Sequence, residues 1–461
     1  MNGNKCFRAL IICLLVFFSF SLAVTGQSKK DKSQAKDLLD QGDKSFTQKN
    51  YRDAVDKYAK AILLVPTNPP AHYWKAASHY YLKEYDPAKY EFQLALNQGF
   101  KPIEVYRIRW FLFFDLREYD AALADLNNAL AIEPRNPTFL NGVGEIYAAK
   151  NQFPEALAAY QKGVAVSPKD GDLYYNVARV QAAMGNVKAQ RESADDAIKN
   201  GTRMTGEAYY LLADAARKQK DFPAAIAAYQ RAISSKPGDY DSYKSLADIY
   251  RSQGRFTDAI DILKKALLQF PTDGSIYSDL SRYYSLVNRP QDGVQAAQAA
   301  IKFQPAQFAG YTNLCRSYNE VKQYPEAVAA CNSALKLNAG DGETYYYLAN
   351  AYVGQGKSVE ATEKYTKAVA GLVEYTTKNP GYPDGWYLLG NALFADKQYD
   401  KAIDAYLKCL TLSPNFLKAR VNLGIGYTRK KNKAGAMEQY NILQSADAAL
   451  AARLKAEIDK M

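Results

Sequence analysis

Histidine is nearly missing from this chain. Its 461 residues include two, His72 and His79, so the commonest general base and metal ligand is scarce. The pair stands seven residues apart on one helix face, a spacing that would suit two metal ligands. No third ligand is near, however, and the corresponding places of a later helix carry Tyr243 and Tyr250. The histidines are therefore read as core residues, and neither metal nor cofactor is expected. Also absent are a phosphate-cradling glycine loop, a G-x-S-x-G elbow and a C-x-x-C pair. No catalytic residue emerges, and the chain is expected not to be an enzyme. Runs of five or six like charges are lacking too, and Lys and Arg do not cluster, which argues against nucleic-acid binding. The formal charge of +11 is spread over the surface.

Long apolar runs are missing with one exception. Lys5 and Arg8 precede an apolar stretch from Ala9 to Ala23, followed by small residues to Gly26 and then polar ones from Gln27. This predicts a secretory signal peptide over 1–26, cleaved after Ala23 or Gly26. The stretch is shorter than the roughly 20 apolar residues of a membrane span, although an uncleaved anchor is the competing reading. No cysteine ends the run, which speaks against a bacterial lipoprotein. The mature chain is then expected to be exported, periplasmic or outer-membrane associated, and without an integral span.

Tyrosine is abundant, with 37 copies, and many recur at fixed intervals. Tyr243, Leu246, Ala247 and Tyr250 form the apolar stripe of one amphipathic helix. Gly254 interrupts it, and Phe256, Ala259, Leu263, Ala266 and Leu267 form a second stripe, which Pro271 ends. Such a helical hairpin cannot bury its apolar face alone and needs copies beside it. Copies begin at Ala35, Pro69, Ile103, Pro137, Gly171, Gly206, Tyr240, Gly274, Phe308, Gly342, Pro383 and Leu417. The step is 34 residues except for one of 35 and one of 41. A small residue recurs early in most second helices, from Ala54 and Ala88 through Ala402 and Ala436, and a proline recurs after it, as at Pro66, Pro134 and Pro414.

A 34-residue helix–turn–helix with these landmarks resembles the tetratricopeptide repeat, with Trp386, Leu389, Gly390, Ala402, Tyr406 and Pro414 the best match. The resemblance covers about Ala35 to Ser445. It implies an all-α fold: a right-handed α-solenoid superhelix of about twelve repeats, closed by a C-terminal capping helix over 446–461. A polar linker is expected over 27–34. Five repeats follow over 35–205, five over 206–382 and two over 383–445, with the extra residues near 371–382. The repeat from Gly171 departs most, carrying Gln190 in place of the alanine and Thr202 in place of the proline.

Three cysteines follow the leader. Cys315 and Cys331 occupy the eighth and twenty-fourth places of one repeat, at about the same height of the hairpin. A disulfide and a pair of small buried residues are both open there. Cys409 is read as a buried free thiol.

In the family, partners lie along the face lined by the first helices, at about the second, fifth, ninth and twelfth places. Tyr73, Trp74, Tyr80, Tyr81, Phe111 and Phe114 lie on or beside that stripe and form one candidate patch, with packing between repeats as the alternative. Further along come Arg179, Arg217, Lys244, Arg251, Arg282 and Arg316, suited to acidic segments or simply to solvent. The family's clamp for a C-terminal carboxylate is rejected, because Asn350 and Asn391 stand beside Tyr346 and Tyr387 where lysines belong. The implied function is a scaffold of the cell envelope holding peptide or protein partners, with self-association through the stack end a further option. The rival is a carbohydrate-handling or enzyme-associated protein using the tyrosines.

Overall fold

Twelve helical hairpins and one final helix make up the computed structural model, which describes residues 28–461. The expected signal peptide lies outside the described residues. Among them are 25 helices and no strand, and no helix is long and apolar enough to cross a membrane. Local chemistry explains where the helices start. Asn68, Asn136, Asp170, Asp273 and Asp341 each precede a first helix and accept hydrogen bonds from its opening N–H groups, satisfying donors that lack intrahelical partners. The first helix corrects an expectation. Residues 29–34 belong to helix Lys29–Thr47 rather than to a linker, because Ser28 and Asp31 form a reciprocal capping box.

Between the helices of each hairpin the chain passes through one residue in the left-handed region. Gly185, Gly254 and Gly356 fill that place in three hairpins, whereas others use Lys83, Asn151 or Lys322. In the second hairpin the turn closes with the Glu84 N–H donating to the His79 carbonyl, a helix-ending motif. Charged side chains at such a turn keep their heads in water.

Packing follows a size rule between the eighth and twenty-fourth places. Gly42 lies under Tyr58, Gly144 under Tyr160 and Gly390 under Tyr406, so close that an added Cβ would fall 2.4–2.5 Å from a ring carbon. All three tyrosines are buried. Tyr160 also packs with Leu173 and Val177 of the next hairpin, so it fills space within its own repeat as well as between repeats. In the ninth hairpin the same two places hold Cys315 and Cys331, joined by a disulfide with Cα atoms 5.2 Å apart. Cys409 is buried and free.

The chain divides between Leu211 and Leu212, inside helix Thr205–Lys218, into two compact units. The first holds five hairpins and the start of the sixth. It is centred on an aromatic-rich core that includes Phe92, Trp110, Leu126 and Phe139. His72 and His79 are buried there, with Nδ1 atoms 2.5 Å from Glu91 and 2.6 Å from Glu84. The second unit holds the remaining hairpins. Its tenth hairpin absorbs the long step by extending the second helix over Ser358–Lys378, 21 residues against 14 for most others. Helix Ala448–Ile458 closes this unit, laying Leu454 and Ile458 against the twelfth hairpin.

Candidate functional site: a charged, tyrosine-walled groove

The described residues contain no group of His, Cys, Asp or Glu arranged to hold a metal. What the second unit contains is a groove between its first helices. Arg251 stands near the end of helix Tyr240–Ser252, Arg282 on Gly274–Leu286 and Arg316 on Phe308–Glu320. Opposite them, Glu343 and Asp384 stand in the first turns of helices Gly342–Gly354 and Pro383–Ala395, where the N-terminal dipole favours negative charge. The Arg251 guanidinium donates to Asp384, 133 residues later in the chain. Glu343 lies 3.7 Å from both Arg282 and Arg316. The seventh and eleventh hairpins thus meet across the groove.

Two cavities, of about 420 and 510 Å³, share Arg282, Glu343 and Asp384 in their walls. The larger is walled by Tyr346, Tyr347 and Tyr387, with Asn350, Asn391 and Lys418 beside them. Side-chain hydrogen bonds set these groups: the Tyr365 hydroxyl donates to Asn350, and the Tyr406 hydroxyl and Asn422 donate to Asn391. Each carboxamide therefore has its oxygen engaged from behind. Arg316 is buried, donating to Asn313 at 2.8 Å and Ser285 at 3.2 Å. Among the described residues the Arg282 guanidinium makes no hydrogen bond, and 41% of its side chain remains accessible inside the groove. The Glu343 carboxylate facing it holds its guanidinium well above the usual range. Burial pushes the Tyr346, Tyr347 and Tyr387 hydroxyls up, so they stay protonated donors. Desolvation by the surrounding groove draws the exposed Lys418 below the ordinary lysine range, with Glu320 opposing.

The expected site residues separate into three groups. Arg251, Arg282 and Arg316 come together in the groove. Arg217 pairs with Asp214 at 2.7 Å on its own helix, and Lys244 is exposed on the seventh hairpin. In the first unit, Arg179 and Phe114 line a cavity of about 360 Å³ with Glu145 and Phe153. The aromatic patch is mostly consumed by packing. Tyr73 is buried and stacks on Phe100 at 4.5 Å, Trp74 meets Phe46 edge-on, and Phe114 packs on Trp110 and Tyr119. Burial raises the Tyr80 hydroxyl, which also meets Asp115. Only Tyr81 and Phe111 of that group stay exposed, at 49% and 40%. Glu343, Asp384 and Lys418 were not anticipated, although each occupies the second place of its repeat, on the same stripe as the arginines.

Comparison with known proteins agrees with this architecture. Models of the tetratricopeptide repeat match residues 144–185, 175–240, 210–275 and 383–416. Over those residues the chain carries tetratricopeptide repeats. Small glutamine-rich tetratricopeptide repeat-containing protein 2 of Saccharomyces cerevisiae is 30% identical over 142 residues, 31% of this chain and 40% of its own length. The human protein O-mannosyl-transferase TMTC1 is 30% identical over 100 residues, 22% of this chain and 11% of its own. A crystal structure of a tetratricopeptide repeat protein from Parabacteroides merdae aligns over 55% of this chain and 97% of its own, at 15% identity and a TM-score of 0.45. This chain spans less than half the length of the curated relatives it matches first. Tetratricopeptide repeats generally form non-catalytic scaffolds.

Proposed function

We propose that this protein is a non-catalytic scaffold that holds an extended segment of a partner protein in the groove of its second unit. The observation that carries the reading is the convergence of Arg282 and Arg316 with Tyr346, Tyr347 and Tyr387 on one cavity, with Arg251 paired to Asp384 at its wall. Arginine and tyrosine are the residue types that dominate protein-recognition surfaces, since both offer large contact area with a polar tip. Several hairpins contribute at once, so a segment lying along the groove meets many weak contacts rather than one strong one. The leader over 1–26 supports placing the scaffold outside the cytoplasm, in a bacterial periplasm or at the outer membrane, where the Cys315–Cys331 disulfide would persist.

The test replaces Tyr346 with a photo-crosslinking phenylalanine analogue in the full chain expressed in its own cells. One protein partner crosslinked at that position, and lost when Arg282→Glu is added, supports the reading. Crosslinking that is unaffected by Arg282→Glu, or absent although the protein is folded, overturns it. N-terminal sequencing of the fractionated protein tests export, which fails if Met1 is retained in the cytoplasmic fraction. The tyrosine wall also suits stacking on sugar rings, so a glycan array is the direct comparison: saturable binding of an oligosaccharide, blocked by Tyr347→Ser, would favour the carbohydrate reading.

A further inference from the structure

The contacts that cross the groove are made of charge rather than of helix packing. In the second unit the helices pack against those one or two places away along the chain. Arg251–Asp384 instead skips from the seventh hairpin to the eleventh, and Arg282–Glu343 from the eighth to the tenth. The two cavities have Arg282, Glu343 and Asp384 in common, so these side chains form a rib that divides one cleft in two. Each charge of the rib also has support on its own wall. Arg251 lies 3.5 Å from Asp248, three residues earlier on its own helix, and Asp279 acts on Arg282 from the same spacing. Arg316, beside Glu343, has its bonds to Asn313 and Ser285. On the other side Glu343 and Asp384 occupy first helical turns, where the N-terminal dipole supports a carboxylate. Separating the walls therefore strands no ion. The Arg251 and Asp384 side chains are 24% and 33% accessible, and pairs that open to water are weak and screened by salt.

We propose that these contacts are an electrostatic latch. Arg251–Asp384 and Arg282–Glu343 hold the groove of the second unit closed, and it opens when the arginines swing back to the carboxylates of their own helices. Closed, the rib keeps a segment from lying along the whole groove, which makes it an autoinhibitory contact. Open, the two cavities join into one channel. The movement is shared among the stacked interfaces between the seventh and eleventh hairpins, each of which shifts a little. The consequence for binding rests on the groove being the partner site, whereas the latch itself does not.

The test measures the width of the groove in the full chain by double electron–electron resonance. Spin labels go on Thr257→Cys and Lys401→Cys, both exposed at the start of the second helices of the seventh and eleventh hairpins, with the buried free Cys409 changed to alanine. Raising salt from about 0.1 to about 1 M shortens the screening length from about 10 to about 3 Å and should lengthen this distance. Shifts of about 1–2 Å at each helix interface, added over four steps, make the lengthening about 4–8 Å. Asp384→Asn should lengthen it similarly at low salt. Asp248→Asn removes the partner of the open state and should raise the salt needed for opening. The pair Thr257→Cys and Lys322→Cys spans two steps on one wall and should lengthen by at most half as much. A distance that holds both in high salt and in Asp384→Asn overturns the latch, and the salt arm needs no latch variant to fold. Equal lengthening of both label pairs also overturns it, because the whole unit would then be loosening. The measurement needs no partner, so opening with nothing crosslinked at Tyr346 removes the scaffold reading alone, whereas a partner crosslinked there with the distance fixed removes only the latch.

Discussion

Gly144 offers a sharp test of the glycine-under-tyrosine packing seen in three of the hairpins. It sits in the middle of helix Pro137–Ala149, where alanine would ordinarily be better by about 1 kcal/mol. An added Cβ, however, would lie 2.4 Å from Cε1 and 2.6 Å from Cδ1 of Tyr160. That ring is completely buried and also packs with Leu173 and Val177, so it has little room to move aside. Overpacking a core by one methyl costs roughly 1–3 kcal/mol, and losing the ring's packing altogether would cost roughly 3–5 kcal/mol. Setting the overpacking against the helix-propensity gain leaves Gly144→Ala destabilised by up to about 2 kcal/mol. Gly238→Ala is the control, because nothing lies within 4 Å of its added Cβ and its φ is not in the left-handed region. It should be neutral or slightly stabilising. In a stacked-repeat protein the loss should be local to the fourth and fifth hairpins, so hydrogen exchange of their amides is the informative measurement alongside urea unfolding. If Gly144→Ala exchanges and unfolds like Gly238→Ala, the size rule between the eighth and twenty-fourth places is wrong.

Three other perturbations follow from buried polar groups and the crosslink. Arg109 donates twice to Asp125, both at 2.8 Å and both groups buried, so Asp125→Ala should cost about 3–5 kcal/mol by stranding the guanidinium; a urea midpoint within error of the parent would refute it. Burial works against the charged form of His72, but hydrogen bonds to Glu91 and to the Pro66 carbonyl outweigh it, so its folded pKa lies above the ordinary 6.5. Burial likewise opposes ionisation of Glu91, and bonds from His72 and Lys75 outweigh it, placing that pKa below 4.5. The histidine's contribution is complete below 6.5 and fades as pH climbs through its raised value, whereas the glutamate's is complete above 4.5 and fades as pH drops through its depressed one. The stability difference between the parent and His72→Gln should therefore peak between pH 4.5 and 6.5, and a difference growing steadily towards alkaline pH would contradict this. Reducing Cys315–Cys331, which closes a 16-residue separation, should lower stability by about 3 kcal/mol; unfolding curves of oxidised and thiol-reduced protein that superimpose would show the link to be inert.

The hairpins were readable because each depends on neighbours in sequence. Tyr243, Leu246, Ala247 and Tyr250 mark one helix face, all four are buried, and the helix starts at Tyr240 where the repeat was placed. Asn68 or Asp273 marks a helix start, and Pro66 or Pro271 marks an end. The turns were less readable, since Lys83 and Lys322 adopt the left-handed conformation that glycine would have advertised. The aromatic patch misled for a different reason. Tyr73 and Trp74 lie on or beside the stripe open to partners in a regular repeat, yet Phe100 from the end of their own repeat covers Tyr73 and Phe46 from the preceding hairpin covers Trp74, and the cover from Phe46 is invisible to any pattern inside one repeat.

The groove lies at the far limit of such reading. Arg251, Arg282 and Arg316 could be placed on one stripe from their spacing, and Glu343, Asp384 and Lys418 occupy the same stripe one to three hairpins later. Whether Arg251 reaches Asp384 depends on the rotation accumulated over the four steps from the seventh to the eleventh hairpin. An error of a few degrees per step, invisible to any single helix, would separate them. The longer tenth hairpin lies inside that sum, because Ser358–Lys378 carries the chain further before Pro383 begins the next helix. The cross-groove pairing is thus a property of four stacked interfaces together. A change in any one of them should reach the groove, even where the altered residue touches neither arginine nor carboxylate.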